Sequence, residues 1–416
     1  MSAVQALYAE TVTDVTASGT GTWVDCASIS AGSFNASVKY LILAMADLAT
    51  DNSTAENHVR LVHGSTPTEF TDADAVHDSG SGADGGMVYS WMYVFTQPGT
   101  TEEIKLQIQG ESTTTATCKF SQIVAINLDN FGIENTDYYY NEVTADYSTT
   151  TTPTAQASIT FTASGTDVWL VIGHASIMET ATVTDGNAAG FELHESVGGT
   201  VNPKTLMEGE DANAGDENRA HCGMRVFTPS AASHTFSVRP YHIGTASFSV
   251  GSTRIFAMKL NKFAQYAHAY TDGGATPAAS PSWTNVATLN FTPTLTGNWF
   301  YWSQAIIDIG SLGDEVNFRL QDDNDGSMGS DPNYGDDAPN AEGWDSADFV
   351  PSGMMKMKSL SFGISTTVNF DATHVVGTTS SVAQRSIVAF SLELASSATP
   401  SIAFDSRRLI QPLIVR

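Results

Sequence analysis

The sequence is poor in charge and in cysteine, and it offers no segment suited to a membrane. Only 15% of the residues are charged, against roughly 25% in an ordinary globular domain. Three cysteines in 416 residues cannot build a disulfide framework. The first residues have neither a basic start nor an apolar stretch, and no apolar run reaches the ~18 residues of a membrane span. These absences predict a chain without a secretory signal or a membrane-inserted helix.

Positive charge is scarce. The chain has 45 acidic and 18 basic residues, which gives a net charge of -27. Such a surface repels phosphate backbones and anionic lipids, so we expect no nucleic-acid partner and no membrane insertion. The simplest role of the excess charge is solubility.

Recognisable catalytic motifs are also missing. The sequence has no G-x-S-x-G, H-E-x-x-H or C-x-x-C motif and no phosphate-binding glycine loop, and its ten histidines have no metal-ligand spacing. Paired carboxylates for glycoside cleavage are defined in space rather than in sequence, and acidic residues are too abundant here for any chosen pair to be informative. We therefore expect a non-enzymatic protein without a cofactor.

What the sequence does contain is a recurring apolar segment. IVAINLDNF starts at Ile123, IFAMKLNKF at Ile255 and IVAFSLELA at Ile387, with a spacing of 132 residues. An apolar run of this kind is typical of a buried strand. Three copies at one spacing predict three versions of one module, with boundaries at 1–132, 133–264 and 265–395.

Each predicted module has about eight strands. The most apolar are Lys39–Ala46, Val168–Ala175 and Asn298–Ala305, whose continuous apolar character predicts strands covered on both faces. We predict an all-β chain of three tandem antiparallel β-sandwiches of jelly-roll type; a β-barrel or an immunoglobulin-like strand order is the alternative. The short links favour close packing, either around a pseudo-threefold axis or as a linear array.

The best candidate for a metal site is the polar loop that we expect after a short strand in each module. In the third module the segment QDDNDGSMGSD resembles part of a calcium loop, with Asp323, Asp325 and Asp331 as candidate ligands. An EF-hand is excluded, because Gln321 and Pro332 stand where that motif needs its first and last ligands. The alternative is a solvated acidic loop.

Residues 396–416 lie outside the repeats and end in an apolar, basic segment. This segment is predicted either to add a strand to the third module or to act as an arm that binds a neighbouring subunit. Its candidate contact residues are Arg407, Arg408, Leu409, Ile410, Leu413 and Ile414.

The tryptophans allow a carbohydrate-binding interpretation. Trp23 and Trp283 occupy the same place in two modules, as do Trp169 and Trp299, and such repetition predicts core packing. Trp344, in the acidic loop of the third module, is the tryptophan that we expect to be exposed and able to stack on a glycan.

Two of the three cysteines fall at positions that are apolar in other modules. Cys118 corresponds to Val250 and Val382, and Cys26 corresponds to Val286. Both are therefore predicted to be small buried hydrophobic residues. A bridge between Cys26 and Cys118 is left open.

An acidic chain rich in Thr, Ser, Gly and Ala, without a signal and built of tandem β-sandwiches, resembles the structural proteins of tailed bacteriophages over all 416 residues. The resemblance implies a virion protein assembled in the host cytoplasm, with other virion proteins or copies of itself as partners. A capsid decoration protein is the expected function. The alternative is a tail or appendage component that binds a host-surface glycan or receptor.

Overall fold

The computed structural model describes residues 3–50, 57–77, 86–98, 102–111, 114–179, 188–208, 218–245, 248–308, 315–323, 326–327, 340–342, 349–377 and 380–395. The described chain is nearly all β-strand. No helix in these ranges has the length and apolar character that crossing a membrane requires.

The first sandwich joins an inner sheet, in the order β1-β9-β4-β7 with β2 also on β9, to an outer sheet, in the order β3-β8-β5-β6. A short helix, Leu128–Phe131, follows its last strand. The strands are β1 Ala6–Thr11, β2 Val15–Ser18, β3 Val24–Ile29, β4 Lys39–Thr50, β5 Asn57–His63, β6 Thr68–His77, β7 Gly86–Thr96, β8 Ile104–Gln109 and β9 Thr115–Asn127.

The second sandwich has an inner sheet β10-β18-β13-β16, with β11 on β18, and an outer sheet β12-β17-β14-β15. A 3₁₀ turn, Leu260–Lys262, follows it. The strands are β10 Tyr138–Val143, β11 Tyr147–Ser148, β12 Ser158–Thr162, β13 Trp169–Glu179, β14 Ala188–Glu195, β15 Gly199–Glu208, β16 Asn218–Phe227, β17 Ser233–Ile243 and β18 Phe248–Lys259.

The third sandwich has an inner sheet β19-β28-β22-β26 and an outer sheet β20-β27-β23-β24, in which β21 also pairs with β27 and β25 with β23. The strands are β19 Tyr266–Ala275, β20 Ala278–Ala279, β21 Thr284–Phe291, β22 Gly297–Asp308, β23 Glu315–Asp322, β24 Gly326–Ser327, β25 Asn340–Glu342, β26 Phe349–Leu360, β27 Thr366–Val376 and β28 Ser381–Ser391.

The sandwiches are jelly rolls, as predicted. In the first sandwich, β9 lies between β1 and β4 in the inner sheet, and the chain crosses repeatedly between this sheet and the outer sheet β3-β8-β5-β6. This is the strand order of a jelly roll. The pairings are antiparallel except for β20 with β27. A closed barrel and an immunoglobulin-like order are both excluded by this arrangement. The boundaries at residues 132, 264 and 395 stay predictions.

Each sandwich has its own core between its two sheets, and a further core lies where the three inner sheets meet. We call this fourth cluster the central core; it includes Leu43 and Met92 from the first sandwich, Met224 from the second and Met355 and Phe390 from the third. Because all three inner sheets pack on it, the sandwiches lie side by side, and the linear array is excluded.

The central core explains why the inner strands are continuously apolar. In β4, Leu41 and Leu43 face the central core, whereas Ile42 and Ala44 face the core of the first sandwich. Alternate side chains of one strand thus enter two different cores.

The acidic loops predicted after the short strands contain strands instead. In the first sandwich, Glu69, Asp72 and Asp74 lie within β6, where they alternate with buried Phe70 and Ala75. The pattern escapes detection because alanines hold two of its buried positions and acidic residues alternate with them. β15 takes the same place in the second sandwich, and β24 and β25 take it in the third.

The tryptophans of the inner sheets are core residues. Trp169 and Trp299 are buried, as predicted, and so are Trp91 and Trp302, which have no counterparts in the other sandwiches. Their indole rings fill the large spaces between packed sheets.

Candidate functional site

The proposed calcium ligands are only partly described. Asp323 is exposed in the turn after β23, and its backbone N–H donates to the carbonyl oxygen of Thr367 at 3.1 Å. Asp325 and Asp331 lie outside the described residues. Within the described ranges, no group of three His, Cys, Asp or Glu side chains could hold a metal ion. Calcium binding by the three aspartates stays a prediction.

The other residues predicted to contact partners also lie outside the described ranges: Trp344, Arg407, Arg408, Leu409, Ile410, Leu413 and Ile414. What the structure fixes is the point from which the C-terminal segment departs. Leu392 is buried in the central core, and the N–H of Ala395 donates to the carbonyl oxygen of Lys262 at 2.8 Å.

One end of the molecule, which we call the linker end, gathers the first and last described residues of the chain and both connections between sandwiches. The N–H of Val4 donates to the carbonyl oxygen of Leu392 at 2.7 Å. Phe131 and Phe263, one from each connection, have ring centroids 5.1 Å apart, and Phe263 stacks on Phe390 at 4.4 Å. Residues 396–416 therefore start from the linker end.

The linker end also carries most of the exposed large hydrophobic side chains. The described ranges contain five: Ile133, Val197, Ile243, Phe362 and Ile364. The first lies in the connection after the first sandwich, and the second lies in the turn between β14 and β15. The last two lie in the turn after β26, whose final residue pairs with the first residue of β22. Only Ile243, at the end of β17, lies at the opposite end.

The turn that presents Phe362 and Ile364 is held in place by backbone contacts. The N–H of Phe362 donates to Thr296 Oγ1 at 3.0 Å, and the N–H of Gly363 donates to the carbonyl oxygen of Pro293 at 2.8 Å. Gly363 has φ +75°, a conformation that glycine adopts without strain. Two large apolar side chains, 68% and 49% exposed, are thus preorganised for contact.

The sandwiches meet along three polar seams that surround the central core. Between the first and second, the buried Arg254 guanidinium donates to Glu142 Oε1 at 2.7 Å, to His174 Nδ1 at 3.1 Å and to the carbonyl oxygen of Thr71 at 2.8 Å. It also stacks on the Tyr93 ring, 4.0 Å from the centroid. One cation thus holds groups from both sandwiches.

The other two seams place a cation at the position that corresponds to Tyr93. Between the first and third sandwiches, Lys356 Nζ donates to Glu10 Oε1 at 2.6 Å. Between the second and third, Arg225 lies over the Tyr270 ring, 4.0 Å from its centroid. The strand registers put Glu10 and Tyr270 in matching places. The seams therefore share their geometry and differ in their chemistry.

Two histidines are buried beside the first seam. Burial, followed by the charge of Arg254 and then that of His221, holds the pKa of His174 well below its usual value. Burial and the charge of Arg219 lower the pKa of His221 to about 3. Both rings are therefore neutral at pH 7. Tyr89 from the first sandwich stacks on His221, with centroids 5.8 Å apart.

A serine, a histidine and a glutamate lie in the order of a catalytic triad at the linker end of the second sandwich. His234 Nδ1 is 2.7 Å from Glu195 Oε1, but its Nε2 is closer to the carbonyl oxygen of Ser230 (2.9 Å) than to the hydroxyl (3.4 Å). Glu195 also accepts the N–H groups of Val197 and Gly198. A general base needs Nε2 to accept the serine proton. Because Nε2 here faces a carbonyl, the cluster stabilises two turns, one that follows Glu195 and one that precedes His234.

Two tryptophans predicted to be core residues lie on the outer sheets instead. Trp23 is half-buried beneath Arg60, whose guanidinium carbon is 3.8 Å from the ring centroid. Trp283 has the same relation to Arg319 at 4.4 Å. The prediction of core packing is wrong for this pair, because an arginine two strands away in the same sheet covers the ring as a core would.

No protein-family model matches the chain, and no curated protein sequence matches it either. Among solved structures it is similar to a peptide-N(4)-(N-acetyl-β-D-glucosaminyl) asparagine amidase, with TM-score 0.30, 12% identity, and 62% of this chain and 98% of that one covered. It is also similar to the triple jelly roll of an archaeal virus turret, with TM-score 0.21, 10% identity, and 92% and 89% covered.

A third similar structure is the CBM22-1-CBM22-2 tandem domain of Paenibacillus barcinonensis Xyn10C, with TM-score 0.21, 8% identity, and 62% of this chain and 99% of that one covered. Similarities this remote assign no function.

Proposed function

We propose that this chain is a non-enzymatic virion structural protein, a capsid decoration protein built as a pseudo-trimer of β-sandwiches and assembled with its particle in the host cytoplasm. Its partners are other virion proteins and copies of itself. The observation that carries the proposal is the linker end, where four of the five exposed large hydrophobic side chains in the described ranges gather.

Exposed apolar side chains at one end favour attachment through that end. Phe362 and Ile364 offer an ordered apolar contact, and residues 396–416, which have an apolar, basic composition, follow Ala395 at the same end. A chain of net charge -27 is repelled by other anionic surfaces. The three arginines in residues 396–416 would reduce that repulsion where the protein meets its particle.

The test is binding to particles of the same virus that lack this protein. The double substitution Phe362→Ser with Ile364→Ser is expected to weaken binding at least about tenfold, the usual effect of removing central apolar contacts from an interface. Deletion of residues 396–416 should weaken it as well. Sedimentation of particles with increasing amounts of protein measures both the occupancy and the affinity.

Ile243→Ser is the matched control, because it removes an exposed apolar side chain from the opposite end. It is expected to leave particle binding unchanged. If the double variant and the deletion both bind as the natural protein does, attachment through the linker end is wrong. Equal loss in all three variants would also contradict it.

The alternative function is that of a tail or appendage component that binds a host glycan or receptor. The half-buried tryptophans on the outer sheets support it, since an indole ring combines apolar surface with an N–H that can bind a polar partner. Trp344 is the sequence-based candidate for the contact. A glycan array separates the functions: glycan binding that is lost in Trp23→Ala or Trp344→Ala favours the alternative, and particle binding without glycan binding favours decoration.

A further inference from the structure

Two of the three thiols meet between the sheets of the first sandwich. Cys118 lies in β9 of the inner sheet and is buried, while Cys26 lies in β3 of the outer sheet and is half-buried. The Cys118 thiol donates to the carbonyl oxygen of Phe120 at 3.3 Å, and its proximity raises the pKa of the Cys26 thiol. Both belong to the core of the first sandwich, whereas Cys222 lies in the central core.

Backbone geometry directs Cys26 towards β9. The register between β3 and β8 shifts between Asp25 and Ser28, which leaves Cys26 in a bulge. A bulge turns a side chain away from its regular alternation. The carbonyl oxygen of Cys26 accepts the hydroxyl of Thr11 at 2.7 Å, and Thr11 pairs with Ser121 of β9. Cys26 is therefore anchored over the strand that carries Cys118.

The third sandwich shows what these positions hold when no thiol is present. Val286 and Val382 occupy the corresponding places and are buried in the core of that sandwich. The same bulge occurs there, since the register of β21 shifts between Asn285 and Ala287. Packing alone is thus satisfied by two valines, and the pair of thiols adds a reaction that valines cannot perform.

We propose that Cys26 and Cys118 form a disulfide that joins the two sheets of the first sandwich when the protein passes from a reducing to an oxidising environment. With a peroxide as oxidant, the Cys26 sulfur takes one oxygen as the O–O bond breaks, which gives a sulfenic acid and releases water. The Cys118 sulfur then attacks the Cys26 sulfur, the S–S bond forms and a second water leaves. The two thiols supply two electrons and two protons, and one hydrogen peroxide becomes two waters.

The environment of Cys26 makes this reaction slow at neutral pH. The nearby Cys118 thiol, burial and the nearby Asp25 raise the pKa of the Cys26 thiol. Since the thiolate is the reactive form, oxidation should accelerate as the pH rises from about 7 to 9. The bond is therefore expected to persist once it has formed rather than to exchange rapidly.

The experiment compares the full chain after incubation with hydrogen peroxide and after incubation with a reductant. Oxidation is expected to lower the intact mass by about 2 Da and to leave one titratable thiol in the denatured protein. Peptide mapping should find Cys26 joined to Cys118. The midpoint of thermal unfolding of the oxidised protein should be higher by several degrees, because the bridge restricts the unfolded chain.

Variants keep the proposal falsifiable. Cys118→Val installs the residue of the third sandwich, so the fold is expected to persist, and both the mass loss and the thermal shift should disappear. Cys26→Ser should also abolish the mass loss and the thermal shift. Cys222→Ser should leave both of them unchanged. Three titratable thiols after oxidation, or a bridge that includes Cys222, would overturn the proposal.

Discussion

At the scale of single residues, Arg254 is the most demanding group in the molecule, since its charge is fully buried at the first seam. The substitution Arg254→Gln installs the residue that Gln122 provides at the corresponding place in the first sandwich. It removes the donor to Nδ1 of the fully buried His174, whereas Glu142 is 31% exposed and keeps the hydroxyl of Tyr140. Leaving a buried acceptor without its partner costs about 1–3 kcal/mol, so we expect a loss of that size in the free energy of urea unfolding.

Lys356→Gln is the matched control, because it removes a cation from another seam. Lys356 and Glu10 are 19% and 27% exposed, and an ion pair that solvent can reach contributes about 1 kcal/mol or less. Its loss should therefore be clearly smaller. If both variants lose the same free energy of unfolding, the buried contacts of Arg254 stabilise the protein no more than a solvent-accessible ion pair does.

His221 makes the stability of the protein depend on pH. Its folded-state pKa is about 3, below the ~6.5 of an unfolded histidine. As the pH falls below 6.5 the unfolded chain takes up a proton that the folded chain refuses, so stability is full above 6.5 and declines towards pH 3. The slope approaches about 1.4 kcal/mol per pH unit for this residue. His174, whose pKa is also lowered, contributes with the same sign.

Urea unfolding between pH 7 and pH 5 measures this effect, because most carboxylates protonate only at lower pH. The substitution His221→Gln should reduce the slope of the unfolding free energy against pH by the contribution of one proton. This reduction is expected whatever the substitution does to stability at pH 7. An unchanged slope would contradict the assignment of His221 as a neutral buried ring.

The burial of single residues was predictable where the same or a similar residue recurs at the equivalent position of another module. Cys118 aligns with valines and is buried, and Trp169 and Trp299 share one core position. The same argument fails for Trp23, because repetition also arises when an arginine two strands away covers a ring on the outer sheet. Arg254 was not identifiable, since nothing in the sequence shows which sandwich its guanidinium reaches.

At the scale of strands, β13 depends on a glycine. A Cβ at Gly173 would lie 2.6 Å from Leu193 Cδ2, 2.9 Å from Val238 Cγ2 and 3.1 Å from Phe191 Cε2. All three belong to the core of the second sandwich. Overpacking of this kind costs about 1–3 kcal/mol, so Gly173→Ala should lower the free energy of urea unfolding by that amount.

Gly32→Ala is the control, since a Cβ there has nothing within 4 Å and the backbone is unstrained. It is expected to change stability by less than about 0.5 kcal/mol. If Gly173→Ala changes the free energy of unfolding as little as Gly32→Ala does, the sheets of the second sandwich are less closely packed than these distances indicate.

The strands that the sequence predicted are those with large apolar residues at regular intervals. The inner strands were identifiable because both of their faces are buried, which gives an unbroken apolar run. β6 was missed because its buried side includes Ala73 and Ala75, which alternate with Asp72 and Asp74, and both Ala and Asp are depleted in strands. A jelly roll was favoured over a barrel by strand number, while the strand order itself required the structure.

At the scale of the whole molecule, the sequence left the arrangement of the sandwiches open. Apolar inner strands indicate that both faces are covered, but they do not show what covers the second face. The answer depends on distant pairs, such as the N–H of Met355, which donates to Gln122 Oε1 at 2.7 Å, and that of Met224, which donates to Gln304 Oε1 at 2.9 Å. The arm, Trp344 and the calcium ligands lie outside the described ranges and stay predictions.

The central core makes a prediction about cooperativity. If one sandwich unfolds, the inner faces of the other two lose their cover, including Met92, Met224 and Met355, each at most 1% exposed. The hydrophobic cost should couple the three, so we expect one calorimetric transition with an enthalpy of about 270 kcal/mol, equal to its van't Hoff enthalpy. Three separate transitions of roughly 90 kcal/mol each would show that the sandwiches unfold independently. In that case the seams would act as contacts between ready-folded domains, and the substitution Arg254→Gln should shift no transition but that of the second sandwich.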